Sequence, residues 1–154
     1  MVLYFILPGT VASVNYTSRY YYLKNIILFI LMKHIIKKFN DISINLLEQT
    51  ASLTGNSYMT KFKLIIKVNC TMPIDTFIQH ILPHREKIVT KNEEFFIMKS
   101  KETAYFHEII GLTEIYYKLD NDSRKNIWDI MLALLYLAEE RHYLKNNKNI
   151  EINN

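Results

Sequence analysis

Residues 127–138 read IWDIMLALLYLA, and every position except Asp129 is apolar. A helix that is apolar on all sides is typical of the middle of a helical bundle. The stretch is well below the roughly 20 apolar residues that a membrane-spanning helix needs. It therefore predicts a fully apolar, central C-terminal helix around which the other elements pack.

The composition favours the same fold class. The chain has 154 residues, enough for one domain, and its three glycines and three prolines are too few for the many tight turns of an all-β fold. We expect an all-α protein, a single compact bundle of roughly five to seven helices. We expect residues 1–31 to be an N-terminal extension outside the core, 32–144 to be the helical domain and 145–154 to be a disordered tail.

Local signals predict where the first helices begin and end. The segment 41–54, DISINLLEQTASLT, can be capped by Asp41 or Ser43 and is followed by Gly55, a residue typical of helix ends. Ser57 can cap the next helix. These signals predict two consecutive helices separated by a short turn.

The second half of the chain gives clearer helical spacing. Pro73 suits a first helical turn, and Pro83 ends or kinks the same helix. Apolar residues at 105, 109, 112, 116 and 119 predict a helix over 105–119. Asp122 or Ser123 can cap the last helix. The residues predicted for the core are Phe77, Ile81, Phe95, Phe96, Ile109, Trp128, Leu132 and Leu135.

Residues 20–39, YYYLKNIILFILMKHIIKKF, raise the question of a membrane. The uninterrupted apolar run covers only Ile26–Met32, which is too short to span a bilayer. A helix lying on a membrane surface, with Lys33, Lys37 and Lys38 at anionic lipid, is one alternative. The favoured interpretation is a buried helix with a solvated basic end.

The start of the chain does not favour secretion. The opening MVLYFILPGTVASV has no basic residue before a short apolar run, unlike a secretory signal peptide. The single cysteine, Cys70, excludes an intramolecular disulfide and fits a reducing compartment. Met32 is an alternative start of the chain, which would make residues 1–31 an upstream extension.

Residues suited to catalysis or metal binding do not form a recognisable pattern. His80 and His84 stand four apart but enclose Pro83, and Glu139 with His142 supplies only one Glu-x-x-His where a di-iron bundle needs two. The cysteine has no adjacent basic partner, and the three glycines are isolated from one another. We therefore predict no enzymatic activity, no cofactor and no metal site.

The charge is unevenly distributed along a chain of net charge +4. Residues 1–100 carry twelve basic and six acidic side chains, whereas residues 101–144 carry five basic and eight acidic ones. The two regions can attract each other within one fold or between copies, so self-association is a prediction left open. The candidate contacts to nucleic acid or to an acidic partner are Lys33, Lys37, Lys38, Lys61, Lys63 and Lys67.

Two segments, PIDTFIQHILPHREKIVTKNEEFFI (73–97) and SRKNIWDIMLALLYLAEE (123–140), resemble small uncharacterised α-helical proteins of nucleocytoplasmic large DNA viruses, the mimivirus and phycodnavirus relatives. The resemblance covers roughly residues 40–140 and consists mostly of helix-packing positions. It implies a viral origin and no catalytic activity. The positions that carry it are Pro73, Phe77, Pro83, Glu94, Phe95, Phe96, Ile127 and Trp128.

These observations predict a non-enzymatic helical viral protein that acts through protein–protein contacts. We expect it in the host cytoplasm or in the virion, associated with the particle or bound to a host factor, and not secreted. The first alternative is a weak, sequence-nonspecific nucleic-acid-binding protein that uses the lysine clusters. The second is a peripheral membrane protein, although a membrane surface is the least favoured partner.

Overall fold

The computed structural model describes residues 16–152, and the side chains of residues 17–148. This range contains no strand, and the predicted all-α class is confirmed. The interpretation of the opening stretch MVLYFILPGTVASV concerns residues outside this range. The α-helices are α1 (Tyr16–Thr54), α2 (Ser57–Val68), α3 (Met72–His80), α4 (Arg85–Val89), α5 (Glu93–Ile97) and α6 (Asn121–Ile152).

Helix α1 is one continuous element, so the predicted separate helix over 41–54 is wrong. Neither of the proposed caps acts as one: Ser43 donates its hydroxyl to the Phe39 carbonyl at 3.0 Å, and Asp41 pairs with Lys37 one turn earlier. No glycine or proline occurs between Thr10 and Thr54 to interrupt the helix. The end at Gly55 is as predicted, because this glycine has a φ of +77°.

The chain divides into two compact units, Met1–Leu31 and Met32–Asn154. In the first unit, the described residues form the beginning of α1. In the second unit, the rest of α1 packs against α6, which also contacts α3 and α4. The second unit is therefore a helical bundle built around α6.

Three aromatic rings from different elements form one part of the core of the second unit. The rings of Phe39 of α1, Phe77 of α3 and Tyr105 have centroids 5.1 to 5.9 Å apart and planes inclined by 65 to 84°, an edge-to-face arrangement. The Tyr105 hydroxyl shares a 2.7 Å hydrogen bond with Ser43, which satisfies the polar end of a fully buried ring. Burial raises the pKa of Tyr105 well above its ordinary value.

The prediction of one regular α-helix over 105–119 is wrong. The structure has a π-helical turn at Tyr105–Ile109 and a 3-10 turn at Tyr116–Lys118, separated by Gly111 with a φ of +64°. A Cβ on Gly111 would lie 2.6 Å from the Tyr58 ring, so the chain turns where only glycine fits. Four of the five predicted apolar positions are nevertheless buried. The apolar spacing predicted which residues are buried, but it did not predict the backbone conformation of this segment.

Helix α6 differs from the prediction at both ends. Its cap is Asp120, whose carboxylate accepts from the Ser123 backbone N–H at 2.7 Å, and neither Asp122 nor Ser123 serves as the cap. At the other end α6 continues to Ile152, where we predicted a disordered tail from residue 145. Extending an existing helix adds one backbone hydrogen bond per residue, so continuation is easier than nucleation. Residues 153 and 154 lie outside the described residues.

The apolar stretch of α6 is buried on one side only, so it is not enclosed on all sides as predicted. Asp129 and Tyr136 are exposed, and Leu132 is half-buried. Seven of the eight predicted core residues are buried, with Leu132 as the exception. The buried residues of the stretch are Ile127, Trp128, Met131, Leu134, Leu135, Leu137 and Ala138.

Candidate functional site

The structure places the six candidate lysines on the exposed surfaces of α1 and α2. Several are engaged within the chain. Lys37 pairs with Asp41, Lys63 lies 3.9 Å from Glu48, and Lys61 donates to a backbone carbonyl at 3.2 Å. Neighbouring carboxylates therefore reduce the positive potential that a phosphate backbone would meet.

A shallow groove lies between α1 and α6 in the second unit. Its lining carries charges of both signs: Lys38 is positive, and Asp41 and Asp129 are negative. Most of its lining is nevertheless apolar and comes from residues such as Ile42, Ile130 and Ala133. A groove this open does not enclose a ligand in the way that small-molecule sites do.

A polar pocket lies beside the π-helical turn, where Ser57, Tyr58, Lys61, His107 and Glu108 meet. The His107 Nε2 contacts the Ser100 carbonyl at 2.9 Å, and because a carbonyl only accepts, Nε2 carries the hydrogen. The other ring nitrogen, Nδ1, lies 4.0 Å from the Glu108 carboxylate. Sequence reasoning missed this cluster, because about fifty residues separate its two halves and no motif links them.

Three of the residues weighed for metal binding have other partners in the structure. Glu139 pairs with Arg85, His142 contacts the Asn146 amide at 3.1 Å, and the His84 ring lies 5.1 Å from the Phe95 ring. Among the described side chains, residues 17–148, no three histidines, cysteines, aspartates or glutamates come together in a way that could hold a metal ion.

The most unusual surface belongs to the first unit. We define the apolar face as Tyr20, Tyr22, Leu23, Ile26, Ile27, Phe29 and Ile30. These residues are 36 to 65% exposed. At about 100° of rotation per residue they occupy half of the helix circumference, over a length of about 15 Å. On the other half, Lys24, Leu28 and Leu31 are half-buried, whereas Tyr21 is 53% exposed.

This exposure contradicts the prediction that Ile26–Met32 is a buried helix. Four of these seven residues are exposed, and the other three are half-buried. Within the described part of the first unit, α1 is the only regular element. Apolar spacing therefore predicts a helix here but does not predict its burial, because burial depends on what packs against the helix.

The apolar face does not indicate a transmembrane segment. Within the described residues, no helix is both long and apolar enough to cross a bilayer. Soluble proteins rarely expose contiguous apolar patches larger than a few hundred Å², and larger patches mark contact surfaces. The apolar face is therefore the strongest candidate site of the molecule.

Comparison with known proteins yields no match to a protein-family model, to a curated protein or to a solved structure.

Proposed function

We propose that this chain is a non-enzymatic α-helical protein of a large DNA virus that acts through protein–protein contacts, with the apolar face as its contact surface. The single observation that carries the proposal is the exposure of seven large apolar side chains on one half of α1 between Tyr20 and Ile30. Covering such a surface releases free energy in proportion to the apolar area removed from water. The viral origin rests on the resemblance of residues 73–97 and 123–140.

A protein partner fits this surface better than a lipid surface does. Helices that lie on membranes combine an apolar face with a polar face rich in lysine and arginine. Residues 20–31 contain one charged residue, Lys24, and the half of the helix opposite the apolar face also carries Tyr21, Asn25, Leu28 and Leu31. The basic residues Lys33, Lys37 and Lys38 follow beyond the end of the apolar face and do not lie opposite it. An exposed apolar segment without a basic polar face is typical of a helix that another protein covers.

Site-specific photo-crosslinking tests the proposal. A photoreactive amino acid replaces Ile27 in one variant and Val68 in the control. Val68, on α2, is also an exposed apolar residue but lies outside the apolar face. In cells that produce the chain, we expect a discrete protein adduct from position 27 and none from position 68. Adducts with lipid alone, or the same adducts from both positions, would overturn the proposal.

A further inference from the structure

We draw no further inference here: the strongest candidate, the apolar face of the first unit, belongs to the site already described, and nothing in the structure shows what covers it.

Discussion

The indole N–H of Trp128 donates a hydrogen bond to the Tyr116 hydroxyl at 2.8 Å, and that hydroxyl donates in turn to the Glu93 carboxylate at 2.8 Å. This chain of bonds links α6 to α5 through a buried tyrosine. Phe96 stacks beside both rings, with centroids 4.8 Å from Tyr116 and 5.4 Å from Trp128. The arrangement fixes the start of α6 against the segment that precedes it.

Substituting Tyr116 by phenylalanine should destabilise the fold by about 1 to 3 kcal/mol, because it leaves the buried Trp128 N–H without its acceptor. Urea unfolding checks this value. Trp128 is the only tryptophan, so its fluorescence reports the affected site directly. An unchanged unfolding free energy would contradict the structural role of the bond.

The buried hydroxyl of Tyr116 should also make the fold less stable at alkaline pH. Burial, and then the hydrogen bond to Glu93, raises the pKa of Tyr116 to about 12. The folded state favours the neutral hydroxyl. The stabilisation that the Tyr116 hydroxyl gives to the fold is therefore present below pH 10 and is lost as the pH rises towards about 12. We expect the difference in unfolding free energy between wild type and Tyr116→Phe to shrink over this range. A constant difference would show that the hydroxyl titrates as in the unfolded chain.

Gly111→Ala should destabilise the fold more than Gly55→Ala, although both glycines have positive φ. Each substitution forces alanine into a left-handed conformation, which costs about 1 to 2 kcal/mol. At Gly111 the new Cβ also meets the Tyr58 ring at 2.6 Å, whereas at Gly55 no atom lies within 4 Å. Thermal unfolding of the two variants measures the difference. Equal losses would mean that Tyr58 moves aside freely.

The contacts of Asp75 indicate that the free energy of unfolding falls at acid pH. Arg141, a buried residue of α6, donates two hydrogen bonds to its carboxylate at 3.0 and 3.2 Å. Partial burial opposes ionisation, but the bonds from Arg141 and Thr71 hold the pKa of Asp75 below its ordinary value. The stabilisation is therefore complete above the ordinary pKa of about 3.9 and is lost as the pH falls through the lower folded value.

Asp75→Asn should accordingly lower the unfolding free energy at pH 7 by about 1 to 3 kcal/mol. This loss is smaller than that expected for a fully buried ion pair, because the Asp75 carboxylate is partly exposed to solvent. The loss should vanish at a pH below the folded pKa. Glu114→Gln is the control, since its partner Lys99 lies on the surface and we expect no measurable change. A loss at pH 7 that persists in acid would contradict the role of the ionised carboxylate.

The lysine clusters predict only weak binding of nucleic acid. Since Lys37, Lys61 and Lys63 have partners within the chain, we expect DNA binding at low salt and none at about 0.15 M salt. Fluorescence anisotropy with a labelled duplex across a salt series measures this. Tight binding at 0.15 M salt that disappears when Lys33, Lys37, Lys61 and Lys67 are replaced by glutamate would support the nucleic-acid alternative instead.

The sequence predicted the helical class and several helix ends correctly for local reasons. Gly55 ends α1, and Pro73 occupies the first turn of α3, because backbone geometry decides both positions. The turn at Gly111 could not be predicted, since its cause is the distant Tyr58 ring. The same limit applies to the apolar face. Whether Ile27 is covered depends on which elements surround it, and apolar spacing alone does not contain that information.

The most direct measurement concerns the accessibility of the apolar face. In a Cys70→Ser background, which removes the native exposed thiol, Ile27→Cys and Val68→Cys provide one thiol each. Alkylation rates are measured in the dilute purified chain and in intact cells that produce it. We predict similar rates for both thiols in the dilute chain and at least about tenfold slower modification at position 27 in cells. Slow modification of position 27 in the dilute chain, or equal rates at both positions in cells, would contradict a contact surface at this face.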